Sequence, residues 1–116
     1  MKLIRAIVRP ETAQRVIDAL EKNETYGMTR MNVTGRGKEM GLTLGKVRYT
    51  EIPKEMLMIE VPDRAVAKTV TAIMNSARTP STTPGSAGAI GDGKIFVSDI
   101  VASYTIRTGQ EDRDSE

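Results

Sequence analysis

Two apolar stripes at helical spacing, each fed by a β-rich run, leave this chain few ways to fold. Ala13, Val16, Ile17 and Leu20 fall at i, i+3, i+4 and i+7, one face of a helix. Val66, Val70, Ile73, Met74 and Ala77 draw a second such face. Residues 3–8 (LIRAIV) precede the first stripe and residues 56–61 (MLMIEV) the second, and both read as strands. Pro10 suits a first helical position, where its missing N–H costs nothing, and Asp63 reads as the N-cap of the second helix. A further strand follows each helix, over 28–33 and 94–100. Strand, helix, strand, repeated once, predicts an α+β fold of the ferredoxin-like split βαβ kind (β-α-β-β-α-β). Ala102, Tyr104 and Ile106 alternate with Ser103, Thr105 and Arg107, which predicts an extra C-terminal strand. Both helices cover one sheet face, so the other face needs a partner, and self-association is expected.

Composition narrows the chemistry. Of 116 residues none is Cys or His, which removes disulfides, thiolate zinc and the commonest general base. No pair of carboxylates or lysines replaces them, so the chain is expected to bind rather than catalyse. No apolar run has transmembrane length and the N-terminus is no signal peptide, so the expected compartment is the cytoplasm. Aromatics are 3%, so the core must come from Val, Ile, Leu, Met and Ala. The tail after Gly109 holds Glu111, Asp112, Asp114 and Glu116 against Arg113, and residues 110–116 read as an acidic disordered tail. Between Arg30 and Lys54 six basic residues face two acidic ones, with Tyr49 the lone aromatic. That balance suits phosphate or carboxylate ligands and argues against nucleic acid, which wants stacking platforms. The aperiodic stretch up to Ile52 is longer than a passive connection in so small a domain.

Gly91-Asp92-Gly93-Lys94 is the sharpest local signal. Two glycines let backbone N–H groups converge on an anion, and a lysine follows to neutralise it. From Gly88 the segment spells G-x-x-x-x-G-K, yet Ile95 and a strand follow, so it is no Walker A loop. A tight turn ahead of a strand stays open beside the anion reading. Gly35-Arg36-Gly37-Lys38 is a second such loop, and Arg107 on the last strand a third contact. In a split βαβ fold these three can meet at one edge, most naturally across a subunit boundary.

The segments Gly35-Arg36-Gly37-Lys38, Ile52-Pro53-Lys54, Ile90 through Val97 and Ile106-Arg107-Thr108-Gly109 resemble the PII signal-transduction proteins, from Met1 to Gly109. Tyr104-Thr105-Ile106-Arg107 and residues 53–58 are most similar to the branch that regulates nitrogenase. The resemblance implies a homotrimer with ATP or ADP in its inter-subunit clefts, built from a 1–109 domain. It implies an effector loop over 36–52 and a phosphate-side loop over 78–93. Thr29 and the strand backbone near Glu60 would meet the adenine; Gly37, Lys38, Gly91, Asp92, Gly93, Lys94 and Arg107 would hold the phosphates. Glu39, Gly41 and Lys54 match an effector, or 2-oxoglutarate, site, with Glu39 as the Mg²⁺ ligand. The implied partners are a protein target such as nitrogenase, glutamine synthetase or an ammonium transporter, without nucleic acid or membrane insertion. Four departures stand out. Glu39 replaces a glutamine and Thr105 an arginine, Val47 lies where some members carry a modifiable tyrosine, and 80–89 is longer by about eight residues. A small ferredoxin-like phosphate-handling enzyme and a structural oligomer with incidental anion binding remain alternatives.

Overall fold

The computed structural model describes residues 1–25, 27–36, 51–80 and 88–112. Its elements run β1 (Lys2–Val8), α1 (Pro10–Lys22), β2 (Thr29–Gly35), β3 (Ile52–Val61), a 3-10 turn (Asp63–Ala65), α2 (Val66–Ala77) and β4 (Gly93–Asp99). The strands form one sheet in the order β2-β3-β1-β4, with every neighbouring pair antiparallel. This is the ferredoxin-like arrangement that the two strand-helix-strand units predict.

Register explains the core. Ile4 pairs with Ile59 and Ala6 with Leu57, so alternate residues of the two central strands share one face. On that face Ile4, Ala6, Val8, Leu57, Ile59 and Val61 are buried against Ala13, Val16 and Leu20 of α1 and Ile73 and Ala77 of α2. Glu55 belongs to the same face, and the guanidinium of Arg30 across the ladder pairs with its carboxylate. The opposite face carries Leu3, Ile7, Met31, Met56, Met58 and Phe96, the last 46% exposed. No helix covers it.

Four expectations need correction. β3 starts at Ile52, not Met56, and runs through Pro53. Its pairing with β1 ends at Val8↔Glu55 while that with β2 continues to Gly35↔Ile52, so Pro53 lies where the ladder is one-sided and a missing N–H is tolerated. Asp63 does not cap α2: it opens the 3-10 turn and pairs with the Met1 ammonium at 3.0 Å. The extra C-terminal strand does not join the sheet. Its residues fold back as a hairpin, with one bridge, Tyr104↔Glu111, and hydrogen bonds Thr105 N to Gln110 O (2.9 Å) and Asp112 N to Ser103 O (2.8 Å). Among the described residues nothing receives the alternating face, with Tyr104 62% and Ile106 98% exposed. The tail expected to be disordered from residue 110 therefore supplies the hairpin's second arm up to Asp112, and 113–116 lie outside the described residues.

Candidate functional site

The 88–94 loop sits where α2, β1 and β4 come together. Gly88, Gly91 and Gly93 have φ of +86°, +100° and +133°, a region that favours glycine. At Gly93 a Cβ would fall on the carbonyl oxygen of Ile7, because β4 begins there hard against β1. The turn is thus a consequence of its glycines.

Three side chains, Arg9, Lys54 and Thr79, reach the loop from other parts of the chain. The Asp92 carboxylate turns inward and accepts from the Thr79 N–H (2.9 Å), the Ala89 N–H (2.7 Å), the Thr79 hydroxyl and Arg9 Nε (3.2 Å). Burial works to raise the Asp92 pKa, yet the bonds from Thr79, Ala89 and Arg9 outweigh it and bring it from 3.8 to about 2. Arg9 Nη2 donates to the Ile90 carbonyl at 2.8 Å, and Lys54 Nζ to the Gly91 carbonyl at 2.8 Å. In a trans peptide the carbonyl and the following N–H point opposite ways. Arg9 therefore draws the Ile90 carbonyl to itself and turns the Gly91 N–H away. Among the described residues nothing accepts from that N–H. Lys94, three residues on at the start of β4, is exposed.

A groove of about 850 Å³ runs along the loop, apolar through Val70, Ile73, Met74 and Ile95, with Arg78, Asp92 and Lys94 in its charged lining. The expected site residues fall into two groups. Gly91, Asp92, Gly93, Lys94 and Lys54 come together at this end of the sheet. Thr29 and Glu60 lie toward the other end of the β2–β3 ladder, where Thr29 pairs with Met58 and Glu60 accepts from the Ser103 hydroxyl of the C-terminal hairpin. Arg107 is exposed in that hairpin's turn. Gly37, Lys38, Glu39 and Gly41, and most of the 36–52 loop, lie outside the described residues. Lys54 is only 8% exposed and is engaged with the loop.

Arg9 and Thr79 were not among the expected site residues. Arg9 reads locally as the end of a strand and Thr79 as the residue after a helix, and their partners lie 83 and 13 positions away. One signal was available: a cation just before Pro10 sits at a strand-to-helix junction, on the same end of the sheet as the start of β4.

Comparison with known proteins identifies the family. The nitrogen regulatory protein P-II family matches residues 1–110. The nitrogen fixation nifHD2 region GlnB-like protein 1 of Methanosarcina barkeri is 45% identical over 111 residues, 96% of this chain and 98% of that protein. The nifHD region GlnB-like protein 1 of Methanococcus maripaludis is 44% identical, covering 93% and 95%. The nitrogen regulatory protein P-II 1 of Methanothermobacter thermautotrophicus is 40% identical, covering 99% and 96%. Similarity along nearly the whole length of both partners leaves one conclusion: the chain belongs to the nitrogen regulatory P-II family, in the branch of the nifHD-region GlnB-like proteins.

Proposed function

We propose that this chain is a nucleotide-responsive regulator in the cytoplasm that binds ATP or ADP between the subunits of a homotrimer and acts on a nitrogen-metabolism protein through its 36–52 loop. The observation that carries the nucleotide part is the 88–94 loop, with its carbonyls held by Arg9 and Lys54, its Gly91 N–H turned away from them and an exposed Lys94 at its end. Such a loop favours phosphate without any reorganisation. The trimer is supported by the uncovered sheet face and by the split of the site. From Lys54 to Glu60 is six steps of β3, about 20 Å at roughly 3.3 Å per residue. β2 and β4 are also opposite edges of the sheet. A nucleotide that meets Thr29 and Glu60 as well as Gly91 and Lys94 bridges two copies. Regulation rather than turnover follows from the loop's only carboxylate, Asp92, whose oxygens are already engaged by four donors.

The target is nitrogenase, glutamine synthetase or an ammonium transporter; the relatives' names, which place them in nifHD regions, favour nitrogenase. Mg²⁺ would enter with the nucleotide and meet Glu39. Calorimetry tests the nucleotide part. ATP and ADP bind the wild type, and Lys94→Ala and Arg107→Ala each lose about tenfold or more, the worth of a charge-assisted phosphate contact. Unchanged affinity in both variants would put the phosphates elsewhere. Light scattering tests assembly: three times the 12.7 kDa chain mass is expected, and a 12.7 kDa particle would end the trimer reading. Retention of nitrogenase from extract that changes with ATP tests the target.

A further inference from the structure

We infer that Thr79 is a positioning residue of the nucleotide loop, holding Asp92 and through it Gly91 to Lys94. Its hydroxyl bonds one oxygen of the Asp92 carboxylate and its N–H the other, while its own carbonyl accepts from the Gly88 N–H at 3.0 Å. One residue before the 80–87 segment thus fixes both the segment's far end and the turn that follows.

The geometry makes Thr79 an anchor. α2 ends at Ala77, a core residue, and Arg78 is already extended with φ −72° and ψ 134°. Thr79 is therefore two residues from a helix that cannot move without opening the core. Through it the loop takes its position from α2, as it does from the β1–α1 junction through Arg9. The two anchors hold different strengths of grip on the carboxylate. Arg9 gives one bond at 3.2 Å, whereas Thr79 gives two. Removing the hydroxyl leaves Asp92 free to turn toward its remaining donors, and the turn bearing the Gly91 N–H and Lys94 goes with it.

The test rests on the nucleotide function proposed above and separates the two. Thr79→Val keeps the branched shape and the N–H and removes only the hydroxyl. ATP affinity, by calorimetry, is expected to fall about tenfold, as for loss of a hydrogen bond to a charged group, and Thr79→Ser to return it to within about twofold. If Thr79 acts by presenting Lys94, Thr79→Val adds less to the loss when Lys94→Ala is already present. Carboxyl NMR of Asp92 reads the same bond without nucleotide, its titration moving upward in Thr79→Val and back in Thr79→Ser. A Thr79→Val protein with wild-type affinity and an unmoved Asp92, a serine that fails to rescue, or losses that multiply fully with Lys94→Ala would overturn the inference. A wild type that binds neither nucleotide would overturn the nucleotide function instead, and the Asp92 titration would still decide whether Thr79 holds the carboxylate.

Discussion

The 88–94 loop and the C-terminal hairpin each carry a cation expected to meet phosphate, Lys94 in one and Arg107 in the other, but they are held in opposite ways. The loop is clamped by its own chain: Arg9, Lys54 and Thr79 bond its carbonyls or its aspartate, and Gly93 is pressed against Ile7. The hairpin leans on the domain through Ser103 to Glu60, while Val101, Tyr104 and Ile106 are 100%, 62% and 98% exposed. Gly109 at its turn, with φ +70°, has nothing within 4 Å of where a Cβ would stand. On the proposed nucleotide reading, one half of the site is preorganised within a single subunit and the other half is not. That is the pattern expected when the second half is finished by another copy of the chain.

The sharpest way to break the comparison is the pair of glycines. Gly93→Ala combines positive φ with a clash against backbone, which cannot yield without parting β4 from β1, and should cost about 3 kcal/mol or more in urea unfolding. Gly109→Ala meets no atoms and should cost only the backbone strain, about 1 kcal/mol. Equal losses at the two sites would mean that the hairpin is packed as tightly as the loop.

Acid supplies the next largest difference. The Asp92 pKa is lowered in the folded chain, from 3.8 to about 2, so its contribution is present above pH 4 and lost as pH falls through that window. At 17% side-chain exposure the contribution is at most about 2 kcal/mol by linkage. Unfolding midpoints measured from pH 5 to pH 2 should show this slope in wild type and lack it in Asp92→Asn. An unchanged slope in the variant would assign acid sensitivity to other carboxylates, such as Asp99 beside Lys2, whose pKa that lysine also lowers.

At the third site the comparison concerns a cation already in use. Lys54 would be the counterweight for a dicarboxylate near Glu39, yet it donates to Gly91 O from a buried position. Glu39, where the resemblance implies a glutamine, adds a negative charge. A charge pair at about 4 Å and an effective dielectric near 20 is worth roughly 4 kcal/mol before screening. With Mg-ATP present, wild type should bind 2-oxoglutarate weakly, and Glu39→Gln should tighten it about tenfold or more after that screening. Wild type that titrates as tightly as the variant would refute the electrostatic account.

Much of this was legible in the residues because local pattern and burial coincide. The stripe positions Val16, Leu20, Ile73 and Ala77 are core, and the glycine turn before β4 lies where Gly91 and Gly93 place it. The stripe overshoots at Met74, 41% exposed, where the groove opens. What local pattern could not give is partnership. Alternation at 102–106 says which residues could share a face, not that a strand is there to receive them. Arg9, Thr79 and Lys54 look ordinary in their own segments, and only the closed sheet carries them to one loop.

The smallest expected effect is the most pointed. The resemblance implies that residues 80–89 are longer than the family's usual link by about eight residues, directly beside the loop proposed to bind nucleotide. A long insertion at such a place should disturb it, unless its two ends are already joined without it. They are: the Gly88 N–H donates to the Thr79 carbonyl at 3.0 Å, and Asp92 accepts from Thr79 on one side of the insertion and Ala89 on the other. Gly88 has a positive φ and so can take up the sharper path that a direct Thr79–Gly88 peptide bond requires. Shortening a loop changes its closure entropy only slowly, by roughly 0.6 kcal/mol per halving of length. Deletion of 80–87 should therefore shift stability by less than about 1 kcal/mol and leave ATP affinity within about twofold, whereas Thr79→Val in the full chain changes affinity more. A deletion variant that unfolds, or that loses nucleotide binding, would mean that the clasp depends on the residues it encloses.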